Sequence, residues 1–462
     1  MHENRLGDAE RHIAVQQVAP ARETVQKAER PIWFDAFFLG VGVLAVFAVT
    51  AQYHDPLNTD TRGAAIAAWQ LAHHGNATLT AFRDQSAWLF PVDGRVVTNR
   101  LPGTIFWATP FYRVLGGDTY PVVYPGTIAA SVASAIGVTI AFVLCCRVAT
   151  RRVALIAALL LAFATGTWTV SSDELWTHGP AQMVVLLMVL LASRRRWLFA
   201  GIPAGFAVLV RPHLAIVAVV LAAYSCVRTK NPKPLLIGVG GLVGTAVLLV
   251  YNHALWGRLE IFGGYNQPVA ASGHKVLDFF TGFVGDFVSP ERGLLVMTPA
   301  LLLLLPGIRR AWPVAPGWIH SAALGGLAYL LLQLWGSGFW GGDGFYSYRT
   351  TLESLTLCVP LFALAWREWT SRTRQRRTAF AALAVFSVAV HAFGAIINWL
   401  PSGRNSPWRM YMPIDLMRHI GWTQGIVWSI VTITTVATAA VLVWRRPART
   451  IALVTVPESL AI

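Results

Sequence analysis

The side chains best placed to do chemistry are a few guanidinium and carboxylate groups set in or beside strongly apolar sequence. Arg211 stands in an Arg-Pro-His break between two apolar runs of 14 residues each, 197–210 and 214–227. A fixed positive charge at that depth is costly, so it either serves a ligand or ends two short spans in the headgroup layer. Phosphate is the natural partner of a guanidinium. Arg349 in YSYRTT and Arg292 in SPERG sit at the ends of other apolar runs, as further anion-binding groups or as snorkelling interface residues. Asp60 opens the stretch TDTRGAAIAAWQLAHHG, where a carboxylate either caps a helix or is presented to a ligand. Glu174 and His178 share DELWTHG, between two closely spaced apolar runs, and either position a ligand or close a tight hairpin by hydrogen bonds.

The composition says what holds these groups. Hydrophobic residues make up 55% of the 462 and charged residues 13%, against roughly a quarter charged in an ordinary globular domain. That is membrane composition, and it excludes disorder. Four cysteines cannot staple a chain of this length, and Cys145, Cys146, Cys226 and Cys358 all fall in or beside apolar runs, so none is assigned chemistry. The runs lie at 33–51, 121–146, 153–170, 180–193, 197–210, 214–227, 235–251, 294–306, 317–335, 351–366, 378–399 and 425–444. The expected fold is therefore an all-α polytopic membrane protein with about twelve transmembrane helices. Several runs fall short of the ~20 residues a full span needs, so their ends, above all between 175 and 227, are not set by length alone.

The net charge of +15 is not a nucleic-acid footprint. With the N-terminus placed in the cytoplasm, 24 of the 37 Lys and Arg residues fall on the alternate short connections and tails of that side, with 8 of the 22 acids. The other face carries the remaining 13 basic and 14 acidic residues and is nearly neutral. This is the positive-inside pattern, and it puts both termini in the cytoplasm of a multi-pass cell-membrane protein. Residues 1–30 and 445–462 read as cytoplasmic tails around one transmembrane domain, 31–444, whose first run is an uncleaved anchor. The long outside connections are 52–120, 252–293 and 400–424. Polar loops on one face usually carry function, so the working face is expected outside.

The first loop can be read locally. Thr59 or Asp60 caps a short interfacial helix that runs to Gly75, a suitable residue just past a helix end. Asp93-Gly94 between WLFPV and RVVTN signals a hairpin, and a second short helix follows from Pro102 to Leu115. No Walker loop, CxxC pair, HExxH, GxSxG elbow, heptad stretch or repeat between the halves is present.

A single N-terminal span, then a large outside loop with an acid opening a helix (NTDTRGAAIAAWQLAHHGN), then many spans, resembles the GT-C superfamily of polyprenyl-phosphate-sugar-dependent glycosyltransferases. The look is closest to the branch of aminoarabinose transferases and protein O-mannosyltransferases. DGRVVTNRLPGTIFWATPFY at 93–112, SSDELWTHGPA at 171–181, LVRPHLA at 209–215, SPERGLLVMTPALLLLLPG at 289–307 and WGGDGFYSYRTTLESL at 340–355 carry the resemblance, which covers most of 33–366. It implies sugar transfer from a polyprenyl-phosphate donor to an extracytoplasmic acceptor, glycan, lipid or protein, with inversion at the anomeric carbon. By the same resemblance Asp60 is the general base, although many relatives have an acidic pair where this chain has Thr59-Asp60, which keeps Asp55 as a rival. Such chemistry needs a base for the acceptor hydroxyl and cations for the departing phosphate, the role expected of Arg211, Arg349 and Arg292. Asp343, in the ring-rich GSGFWGGDGFYSY, is a candidate sugar contact, though aromatics are ordinary at membrane interfaces.

His54, Asp55, Asp60, His73 and His74 share the first loop but fit no standard zinc spacing. The resemblance leaves a divalent cation open as a cofactor, since an Asp-bound ion occurs in some families of the superfamily. The expected partners are the lipid-linked donor, the acceptor and membrane lipid, with no nucleic acid. Two other classes compete: a transporter or flippase of lipid-linked saccharides, which would gather charges in broken helices near the midplane, and a non-catalytic assembly factor, which has no need of Asp60 and Arg211 together.

Overall fold

The structure, a computed structural model, describes residues 31–53, 58–265, 276–337, 344–397 and 410–445. The described chain is helical except for one two-stranded hairpin. The first helix, α1 (Ile32–Thr50), turns Ala36, Leu39, Val43 and Phe47 against α4 (Tyr124–Cys145), and Asp35 near its start pairs with Arg151 at 3.2 Å. Between them the loop folds as α2 (Thr59–His74), strands β1 (Leu89–Val92) and β2 (Arg95–Thr98), and α3 (Pro102–Leu115).

Local chemistry explains most of that loop. Asp93 and Gly94 both take positive φ, 48° and 78°, the two-residue turn that suits the twist of a hairpin. α3 starts at Pro102, whose missing N–H costs nothing in a first turn. Gly75 ends α2 in the left-handed region. The start of α2 differs from expectation. Its cap is Asn58, whose Oδ1 accepts the Asp60 N–H at 2.8 Å, so the Asp60 carboxylate is left for other partners. Within α2, Ala64 to Trp69 are all buried, packed with Leu79, Val96, Ile105 and Tyr112 of the same loop and with Ala129 and Leu175.

Among the described residues six helices are long and apolar enough to cross a membrane: Ile32–Thr50, Tyr124–Cys145, Pro212–Thr229, Lys233–Trp256, Gly317–Gly336 and Arg374–Ile397. α6 (His178–Ser193) and α7 (Trp197–Val210) are apolar but shorter. Other runs in the expected dozen are broken. The run 153–170 leaves α5 (Arg151–Phe163) and ends in a wide turn at Thr167–Ser171. The run 294–306 is one short turn, Leu294–Met297, a 3-10 segment, Pro299–Leu303, and the start of another helix, because Pro299 and Pro306 remove amide donors.

α7 crosses α9 (Ile237–Trp256) at glycine: a Cβ on Gly240 would stand 1.9 Å from the Gly201 carbonyl oxygen, and one on Gly244 2.2 Å from that of Gly205. Small residues four apart on both helices let the backbones meet. Gly240→Val is therefore expected to lower stability by about 3 kcal/mol, read as a fall in the thermal unfolding midpoint of the detergent-solubilised protein. An unchanged midpoint would mean that the two helices do not meet this way.

Candidate active site

The N-terminus of α2 is tied down from two sides. Glu174, fully buried, accepts from the Asn58 N–H at 3.2 Å and from the Thr61 hydroxyl. The Asn58 amide donates to the Gly344 carbonyl at 3.1 Å. Gly344 has φ 72°, and a Cβ there would stand 2.0 Å from the Asn58 amide nitrogen, so this junction requires glycine. Three distant segments thereby meet where Asp60 emerges.

Asp60 sits between two guanidinium groups. Arg100 Nη1 is 3.4 Å from Oδ1 and Arg349 Nη1 is 3.3 Å from Oδ2. Rings hold both cations: Arg100 lies over Trp88 at 4.7 Å, and Arg349 over Trp176 at 5.0 Å and Phe345 at 4.7 Å. Burial by itself raises the Asp60 carboxyl, but Arg100 and Arg349 outweigh it and hold the group below the usual aspartate range. The side chain keeps 23% exposure. Asp60 is thus ionised at neutral pH, within reach of a ligand, and beside cations that an anion can claim.

Arg211 is the hub of a second cluster. Its Nε donates to the Thr177 hydroxyl at 2.8 Å, Nη1 to the Tyr329 hydroxyl at 2.7 Å and Nη2 to His178 Nε2 at 3.1 Å, with Glu353 Oε1 3.7 Å from Nη1. Because His178 Nε2 accepts from Arg211, its proton is on Nδ1, which faces Glu353 Oε1 at 2.8 Å. Glu353 is fully buried in the first turn of α13 (Leu352–Glu368). The turn 173–178 joins the clusters: Glu174 anchors α2, Trp176 lies under Arg349, Thr177 holds Arg211 and His178 bridges to Glu353.

Arg292 is buried, paired with Glu291 Oε1 at 3.2 Å, and lies over the same Phe345 ring as Arg349, at 4.7 Å. The structure therefore brings Asp60, Glu174, His178, Arg211, Arg292 and Arg349 into one region. Asp55 and Asp343 lie outside the described residues, as does His54. Among the described residues no three His, Cys, Asp or Glu side chains are grouped to hold a metal ion. The surroundings of Asp60 do not fit one either, since both its oxygens face guanidinium nitrogens, while His73 turns away to Asp118 at 2.7 Å.

Sequence reasoning missed Asn58, Arg100, Thr177, Tyr329 and Glu353. Glu353 carried a signal, as a lone carboxylate opening an apolar run. The others carried none, because hydroxyls, amides and a loop arginine are common.

An apolar hollow is lined by Val153, Leu160, Leu301, Leu355, Phe362 and Phe380 among others. Thr298 is at its edge and meets the Tyr348 hydroxyl at 2.8 Å, one residue before Arg349.

No model of a known protein family matches the sequence, and no curated protein matches it. Among solved structures, the chain is similar to ArnT from Cupriavidus metallidurans bound to undecaprenyl phosphate, at 14% identity over 89% of this chain and 76% of that one, with a TM-score of 0.48. It is also similar to the Archaeoglobus fulgidus oligosaccharyltransferase in complex with zinc and sulfate, at 14% identity over 84% of this chain and 55% of that one, TM-score 0.48. A third likeness is to the oligosaccharyltransferase AglB from Archaeoglobus fulgidus with an inhibitory peptide and a dolichol-phosphate, at 13% identity, 88% and 56% coverage and a TM-score of 0.42. The chain spans about half the length of the archaeal proteins.

Proposed function

We propose that this chain is an integral membrane glycosyltransferase that moves a sugar from a polyprenyl-phosphate donor to an acceptor hydroxyl on the extracytoplasmic side. The observation that carries the reading is the half-buried Asp60 carboxylate held between Arg100 and Arg349. A carboxylate spaced this way serves proton abstraction, and the guanidiniums serve a phosphate leaving group.

In the reaction the acceptor oxygen attacks the anomeric carbon while the bond from that carbon to the phosphate oxygen breaks. The electron pair of that bond leaves with the polyprenyl phosphate, and the acceptor proton passes to Asp60. A single displacement inverts the centre. Arg349, and Arg292 beyond the shared Phe345 ring, supply charge for the phosphate. An arriving phosphate draws Arg349 away from Asp60. Losing one of its two cations makes the carboxylate more basic at the moment a base is wanted.

A transporter of lipid-linked saccharides is the second reading, favoured by the buried Arg211, His178 and Glu353 cluster at membrane depth. The two separate on release of product. Protein reconstituted in nanodiscs with polyprenyl-phosphate pentose or mannose and a hydroxyl acceptor is expected to yield free polyprenyl phosphate and glycosylated acceptor, detected by mass spectrometry. Movement of intact donor across a vesicle membrane with no bond cleavage would replace transfer by transport.

A further inference from the structure

A buried carboxyl close to the arginines has no part in the scheme above. Asp286, on α10 (Val276–Val288), is 3% exposed. Its Oδ2 accepts the hydroxyl of Thr350, the residue after Arg349, and the Arg349 charge acts on the same carboxyl. α10 leaves Val276, Leu277, Phe280, Val284 and Val288 exposed and turns Gly282, Gly285 and Asp286 inward, so of its two acids Asp286 is the one buried beside the site.

We propose that Asp286 is a positioning residue that couples arrival of the donor's phosphate at Arg349 to uptake of one proton. The inference rests on the reading that Arg349 receives that phosphate. An anion beside Arg349 sets a second negative charge near Asp286, and like charges disfavour the ionised carboxyl. The site then binds the anion best with Asp286 neutral and releases it more readily with Asp286 ionised, the proton passing between solvent and Asp286.

Asp286 is the carboxyl buried against Thr350 and Arg349 here. Burial pushes its carboxyl up to about 7, against the Thr350 hydrogen bond and Arg349, which both lower it. Asp278, on the same helix, is two turns away and only half buried. α10 packs against Leu294–Met297, which has no titratable side chain, and against the end of Gly317–Ser337, where Phe279 meets Trp335. His320 of that helix is about four turns back from Trp335 and Tyr329 is engaged by Arg211. Glu291 and Arg292 pair with each other.

The test uses the full chain in nanodiscs and a polyprenyl phosphodiester, which lacks a second ionisation and so keeps one charge throughout the range. The wild-type Kd is expected to weaken as pH rises from about 6 to 8.5, approaching tenfold per pH unit at the upper end, the limit for one proton taken up. Asp286→Asn should hold the tight, low-pH Kd across the range. Thr350→Val should keep the dependence but move its midpoint to higher pH, since the lost hydrogen bond favoured the ionised form. A flat wild-type profile, the wild-type slope retained in Asp286→Asn, or a midpoint unmoved in Thr350→Val overturns the proposal. Binding indifferent to Arg349→Gln at every pH overturns it too, by removing the phosphate from Arg349, and so identifies the underlying reading as the part that failed.

Discussion

Replacing Asp60 with asparagine is expected to lower the rate of sugar transfer by about 10²–10⁴-fold, the usual contribution of a positioned general base, while the lipid-phosphate Kd stays unchanged or tightens. The substitution keeps the shape of the side chain and removes its charge and basicity. It also spares the helix start, because the cap of α2 is the Asn58 side chain and the buried anchor is Glu174. Loss of activity in Asp60→Asn therefore does not reduce to loss of a cap. Binding is expected to hold because Arg100 and Arg349 lose the carboxylate that competes with phosphate for them. The measurements are single-turnover transfer with a defined donor and equilibrium binding of the lipid phosphate on the same preparation. Transfer within threefold of wild type would remove Asp60 from the chemistry. In the wild type, the limb of the pH profile owed to Asp60 should lie on the acid side. Its carboxyl is held below the usual aspartate range, so the basic form is present above that range and is lost only as pH falls through the lowered value.

The largest effect on stability is expected at Glu353. Its carboxylate is fully buried, 2.8 Å from His178 Nδ1 and 3.7 Å from Arg211. Glu353→Gln leaves the His178 N–H an acceptor but leaves the Arg211 cation without its counter-charge, and breaking a buried pair in this way costs about 3–5 kcal/mol. The Arg211→Gln, Glu353→Gln double variant should recover part of that loss, since neither charge is then stranded. Denaturant unfolding of the solubilised protein provides both numbers, and a silent Glu353→Gln would show that the cluster is solvated. The same geometry bears on Arg211, which was expected to bind phosphate and has Thr177, Tyr329, His178 and Glu353 around its guanidinium. An activity assay of Arg211→Ala is informative only beside its unfolding curve.

Much of the first loop was legible because it rests on short-range chemistry. The Asp93-Gly94 turn and the bounds Pro102 and Leu115 depend on residues a few positions apart, and all appear where the sequence puts them. The cap of α2 is Asn58 and not Thr59 or Asp60, although all three are good caps, and what selects Asn58 is its bonding to Glu174 and Gly344, 116 and 286 residues away. The number of full spans was blurred for a related reason. An apolar run reports the wish of side chains to leave water, whereas Pro299 and Pro306 decide by backbone hydrogen bonding whether that run stays helical.

Apolar content, the placing of basic residues on alternate connections, and an acid opening a helix in a large first loop are properties of the chain alone, since each follows from transfer free energies and near neighbours. Which carboxylate meets which guanidinium is not. Asp60 and Arg349 are 289 positions apart, and Glu353 reaches His178 across 175. Those pairings depend on how helices cross and on which polar groups are buried together, and only the packed chain settles that.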